Sequence, residues 1–87
     1  MTSNEAYKLL LQKLKGMVAV ACYEYANIYV FRVVSEKYKD TGDRKRILNG
    51  EYSVNKITRE VRDFKPWHIP VDEYRAGVEI LDFNIGE

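Results

Sequence analysis

Hydrophobic and polar positions divide the chain unevenly, and the densest apolar stretch, residues 17–34 (MVAVACYEYANIYVFRVV), organises the rest. Its length approaches the roughly 20 apolar residues that a membrane-spanning helix needs. Glu24, Asn27 and Arg32 interrupt it, however, and each charge at mid-membrane costs about 2.5–3.5 kcal/mol. A membrane span is therefore not expected. Val, Ile, Tyr and Phe dominate the stretch, and β-branched and aromatic side chains fit a pleated surface better than a helix. Val18, Val20 and Cys22 alternate with Ala19, Ala21 and Tyr23; later, Tyr29, Phe31 and Val33 alternate with Ile28, Val30, Arg32 and Val34. The pattern predicts two strands joined by a turn near Ala26-Asn27, because asparagine tolerates positive φ.

Ahead of this hairpin, residues 2–15 read as a helix. Thr2 and Glu5 have the spacing of a capping box, in which each side chain satisfies the other's free backbone N–H. Ala6, Tyr7, Leu10, Leu11 and Leu14 recur at helical spacing and form one apolar stripe, with Lys8, Lys13 and Lys15 mostly outside it. Gly16 is a natural stop, since it adopts the left-handed conformation that closes a helix. The stripe is expected to cover one face of the hairpin.

Past Val34 the composition changes to SEKYKDTGDRKR, residues 35–46, which reads as a solvated loop. Asn49-Gly50 is a turn dipeptide, and residues 51–55 and 60–64 read as two short strands. Between these strands, Asn55-Lys56-Ile57-Thr58-Arg59-Glu60-Val61 follows the hairpin form Asx-Lys-x-Thr-Gly-Glu-Val, with Arg59 where glycine is expected. Retaining that turn would put about 1 kcal/mol or slightly more of left-handed strain on Arg59. Residues 65–70, KPWHIP, are expected to be extended, because each proline restricts itself and its predecessor. Residues 70–76 read as a short helix with Asp72 and Glu73 at its positive end and Gly77 closing it. Residues 78–85 alternate as a strand would, yet Val71, Tyr74, Val78 and Leu81 also fit a longer helix. Pattern leaves those two readings open. Together the elements predict an α+β fold in one domain, residues 1–87: an N-terminal helix packed on an antiparallel sheet of about four strands, with a short C-terminal helix.

Composition narrows the function classes. With 87 residues, 46% of them hydrophobic and 13% aromatic, the chain can build a core and does not read as disordered. A net charge of +1 speaks against a general nucleic-acid or membrane-surface binder. The charge is asymmetric, though: residues 1–71 hold 13 Lys/Arg and 8 Asp/Glu, whereas residues 72–87 hold one Arg and 5 acids. The expectation is that the acidic end folds back over a basic face. Arg44, Lys45 and Arg46 form the one dense basic run, a weak phosphate-binding signal better read as part of the loop. The single cysteine, Cys22, fits a reducing, cytoplasmic setting and a buried apolar role. Residues 19–22 (AVAC) imitate a lipoprotein cleavage box, but Gln12, Lys13 and Lys15 interrupt the apolar run such a signal requires.

No catalytic, metal or nucleotide motif stands out. His68 has no second histidine or nearby cysteine to complete a metal site, and no cofactor or small-molecule substrate is indicated. Enzyme activity is not expected. Trp67 is expected to plug one end of the core while His68 points to water; the competing reading makes Trp67 an anchor for a partner. Tyr23, Tyr25 and Tyr29 read as a half-buried wall, and tyrosine also suits interfaces where its ring packs and its hydroxyl stays wet. The opening MTSNEAYKLLLQKLKGMVAVACYEYANIYVFRVV, the later YSVNKITREVRDFKP and the closing DEYRAG resemble small uncharacterised proteins of phages and prophages. That resemblance implies a role in a phage or mobile-element context through binding another protein, and supplies no active residues. The expected function is thus a non-enzymatic, protein-binding accessory or assembly module, acting on a protein partner or by self-association through Tyr23, Tyr25, Tyr29, Trp67 and His68. Two alternatives are an inhibitor or immunity-type protein using the acidic end, and a nucleic-acid binder using Lys13, Lys15, Arg44, Lys45 and Arg46.

Overall fold

The computed structural model describes residues 1–35 and 48–81. The described elements run in the order α1 (Ser3–Lys13), β1 (Met17–Glu24), β2 (Ile28–Ser35), β3 (Leu48–Asn55), β4 (Val61–Asp63), a 3-10 turn (Pro66–His68), α2 (Val71–Arg75) and β5 (Val78–Ile80). The strands form an antiparallel sheet in the order β4-β3-β2-β1-β5. The fold is α+β, as the sequence predicts. The expected count of about four strands becomes five, because residues 78–80 pair with Cys22–Glu24 rather than extending α2.

α1 is built as its sequence implies. The Glu5 N–H donates to Thr2 Oγ1 at 3.2 Å and the Thr2 N–H donates to Glu5 Oε1 at 3.2 Å, closing the capping box. The Thr2 backbone N–H holds the Glu5 carboxyl below the usual range. Gly16 follows the helix with φ +79° and lets the chain reverse into β1. The stripe then buries Ala6, Tyr7 and Leu10 against the sheet. There Tyr7 stacks on Phe31 at 5.7 Å between centroids, and its hydroxyl accepts the Ala19 N–H at 3.2 Å. Tyr29, Phe31 and Val33 of β2, Ala19 and Cys22 of β1, and Val54 of β3 complete this core.

Two bulges separate the observed sheet from simple alternation. In β1, Ala19 faces Val33 and Ala21 faces Arg32, so Val20 is an extra residue. Ala19 and Cys22 therefore both join the core beneath α1, which the unbroken alternation of residues 18–23 does not allow. In β3, Val33 pairs with Gly50 and Val34 with Leu48. The expected turn at Asn49-Gly50 is thus a bulge inside a strand: Gly50 has φ +120°, and its freedom kinks β3 instead of ending it. The β1–β2 turn falls at residues 25–27 as expected, closed by a Tyr25 N–H to Ile28 C=O bond of 2.9 Å.

The β3–β4 turn also keeps its sequence signature. Asn55 Oδ1 accepts the N–H groups of Ile57 (2.8 Å) and Thr58 (2.9 Å), and Arg59 takes φ +64° where the hairpin form has glycine. The β2–β3 connection, including Arg44, Lys45 and Arg46, lies outside the described residues, as does the acidic end beyond Leu81. No helix among the described residues is long and apolar enough to cross a membrane.

Candidate functional site

The face of the sheet away from α1 carries most of the aromatic residues singled out by sequence. Strand alternation sends Val30 and Val34 to this side, and both are buried although neither belongs to the cluster under α1. Phe64, just past β4, is 2% exposed and its N–H bonds the Glu51 carbonyl at 2.9 Å. Phe64, and not Trp67, is thus the buried ring of this segment.

Trp67 itself is 77% exposed. The core-plug expectation is therefore corrected; the extended backbone expected for residues 65–70 holds at Lys65, Ile69 and Pro70 and fails at Pro66–His68. Pro66 opens a 3-10 turn instead, which lifts the indole away from the sheet. Reciprocal bonds hold this turn: the Lys65 N–H donates to His68 Nδ1 at 3.3 Å, and the His68 N–H donates to the Lys65 carbonyl at 2.9 Å. The His68 ring meets Phe64 edge-on at 6.0 Å and Trp67 edge-on at 6.2 Å. His68 thus braces an exposed indole against a buried ring.

A second brace comes from α2. Tyr25 stacks on Phe64 at 6.1 Å and meets Tyr74 at 5.9 Å. Burial raises the Tyr25 phenol above its ordinary pKa, with the neighbouring Tyr74 adding to the effect. Gly77 lies against the same ring: a methyl group there would fall 2.8 Å from Tyr25 Cζ, and onto Cε1. The glycine is needed for this close approach. Pro66, Val71, Tyr74 and Arg75 line an open apolar hollow of about 260 Å³ in the same segment as Trp67.

Of the residues predicted to meet a partner, the structure brings Tyr25, Trp67 and His68 together through Phe64. Tyr23 lies on the same face by register with Val30, away from α1. Tyr29 does not join them. It is buried under α1, its hydroxyl donates to the Met1 carbonyl at 3.2 Å, and Lys56 Nζ sits 4.9 Å from its ring centroid. Phe64, Tyr74 and Gly77 are not among the residues the sequence offers for partner binding, and no spacing in the sequence joins them to Tyr25. Compared with known proteins, the chain matches no family model, no curated protein and no solved structure.

No group of three or more His, Cys, Asp and Glu side chains among the described residues is arranged to hold a metal ion. Cys22 is buried, and desolvation pushes its thiol up to about 12. The ion pairs between described residues are Lys56–Glu24 (2.8 Å), Arg62–Glu60 (2.8 Å) and Lys65–Asp63 (3.7 Å). None of these pairs uses Asp72, Glu73 or Glu79.

Proposed function

We propose that the chain is a non-enzymatic protein-binding module that offers the Trp67 turn and the outer side of α2 to a protein partner. The observation that carries this reading is the exposure of Trp67 on a turn whose His68 ring meets Phe64, itself stacked on Tyr25. A large apolar ring fixed in water is costly for a free domain and useful for a bound one, because tryptophan anchors fill partner pockets and dominate binding energy. Val71, 64% exposed, and Tyr74 extend the anchor into a small patch. The resemblance to small phage and prophage proteins makes proteins of a mobile element or its host the first partners to examine. The buried thiol of Cys22 suits the reducing interior of a cell, which is where such a partner would be met.

The test is a photo-crosslinker replacing the exposed Val71 beside Trp67, with the same group at the exposed Lys8 on α1 as control. A discrete adduct at position 71, absent at position 8 and reduced by Trp67→Ala, supports the reading. Adducts absent at position 71, equal at both positions, or undiminished by Trp67→Ala overturn it.

A further inference from the structure

The other side of His68 opens on a cleft of about 560 Å³, between β3, β4 and the chain leaving the 3-10 turn. Its size falls within the range of about 300–1,000 Å³ typical of small-ligand sites. Ile28, Phe64 and Ile69 give it apolar walls. Four of the polar side chains that line it, Asn55, Thr58, His68 and Arg62, have an acceptor or one of their donors already committed inside the protein, and Ser53 lines it beside them. Asn55 Oδ1 takes the N–H groups of Ile57 and Thr58, which leaves the amide NH₂. Thr58 Oγ1 takes the Glu60 N–H at 3.3 Å, which leaves the hydroxyl hydrogen. His68 Nδ1 takes the Lys65 N–H, so in the neutral ring the proton sits on Nε2. Arg62 gives its Nε–H to Glu60 Oε1 at 2.8 Å, which leaves the two terminal guanidinium nitrogens. Donors of Asn55, Thr58, His68 and Arg62 therefore face the cleft, beside Ser53, Glu60 and Asp63. Its two carboxylates each already face a cation, Glu60 with Arg62 and Asp63 with Lys65.

From this juxtaposition we infer that the cleft binds a small carboxylate with an apolar body. The carboxylate would lie across the Arg62 guanidinium within reach of His68 Nε2–H and the Asn55 amide, and the apolar body would lie along Ile28, Phe64 and Ile69. A guanidinium pairs with carboxylate in a planar, two-bonded geometry that an amine or alcohol does not reproduce. The same chemistry is presented by a free aliphatic acid and by the C-terminal carboxylate of a peptide ending in an apolar residue. This site goes beyond the Trp67 surface and does not depend on it.

Isotope-labelled protein titrated with hexanoate, hexylamine, and acetyl-Ala-Ala-Leu as its acid and its amide distinguishes the cases by NMR. The expected result is saturable shifts at Asn55, Arg62 and His68 with hexanoate, at millimolar affinity, and none with hexylamine. Arg62→Gln, a substitution of an exposed side chain, should weaken binding at least about tenfold, and Trp67→Ala should leave it unchanged. Tighter binding of the peptide acid than of hexanoate, with the peptide amide inert, assigns the site to a chain terminus. Absence of saturable shifts, equal binding of hexylamine, or full binding by Arg62→Gln overturns the inference.

Discussion

The two faces of the sheet are covered in different ways. On one, α1 lays down Ala6, Tyr7 and Leu10, all buried, over Phe31, Val33, Cys22 and Val54. On the other, the buried side chains come from the sheet and its edge (Val30, Val34 and Phe64), while neither the 3-10 turn nor α2 buries a residue of its own. α1 is a helix held by a dry interior. The 65–77 segment is held by ring contacts, a backbone clamp at His68 and the fit of Gly77 to Tyr25. Covering a face with one's own apolar side chains stabilises the fold; resting on it by ring edges leaves those side chains pointing outward. The first face can be read as the chain's stability, and the second as its means of meeting something else.

The comparison breaks most visibly at Leu10. Leu10→Ala removes a fully buried side chain at the centre of the α1 face, and should cost about 2–5 kcal/mol in denaturant unfolding. Val71→Ala, on the other side, removes an exposed side chain and should stay within about 0.5 kcal/mol. Comparable losses at the two positions would mean that α2 covers the sheet as α1 does. Gly77→Ala comes next. The added methyl collides with the Tyr25 ring, which is itself stacked on Phe64 and against Tyr74, and should cost about 1–3 kcal/mol. Its signature is local: Trp67 fluorescence and the protease sensitivity of residues 65–77 should change, while the amides of α1 remain protected from exchange.

How far these faces could be read from sequence follows from the range of the interactions involved. α1 was legible because its cap, stripe and terminal glycine are all set by near neighbours. The β3–β4 turn was legible for the same reason, down to the positive φ of Arg59. The bulges at Val20 and Asn49 were not, because an extra residue in a strand is defined by its partner strand. Asn-Gly in a strand and Asn-Gly in a turn look alike until β2 is laid beside them. Trp67 was misplaced for a related reason. Phe64 and Trp67 lie three residues apart and both suit a core, and the choice falls to the backbone that seats Phe64 beside Glu51 and turns at Pro66. The aromatic chain through Tyr25, Phe64 and His68 joins the end of β1 to a segment far along the sequence, and no local pattern announces that contact.

A smaller effect of opposite sign is expected at Arg59. A left-handed backbone costs a non-glycine residue about 1–2 kcal/mol, and glycine gives back about 0.5–1 kcal/mol through its freer unfolded chain. Arg59→Gly should therefore raise stability by roughly 0.5–1 kcal/mol, a few degrees in thermal midpoint for a domain of this size. Arg59→Ala keeps the strain and should show no gain. A midpoint unchanged or lowered by the glycine would mean that the Arg59 side chain itself holds the turn.

The smallest effect sits at the junction of the hairpins, where Lys56 from the β3–β4 turn reaches Glu24 at the end of β1. The Lys56 hydrogen bond holds the Glu24 carboxyl below its usual range, against a weaker opposing effect of desolvation. A depressed carboxyl stabilises the fold above its unfolded value of about 4.3, and that stabilisation is lost as pH falls through the lower folded value. Both side chains retain contact with water, so at neutral pH the pair is worth under about 1 kcal/mol. Glu24→Gln should accordingly cost little at pH 7 and flatten the acid limb of stability below about pH 4.3, as followed by urea unfolding across pH. The variant should behave alike for Leu10 and Trp67 probes, because the pair ties strand ends on the α1 face and touches none of the rings beneath Trp67. A change confined to Trp67 would place Glu24 in the aromatic face after all, and would remove the separation between the two layers on which the assignment of roles depends.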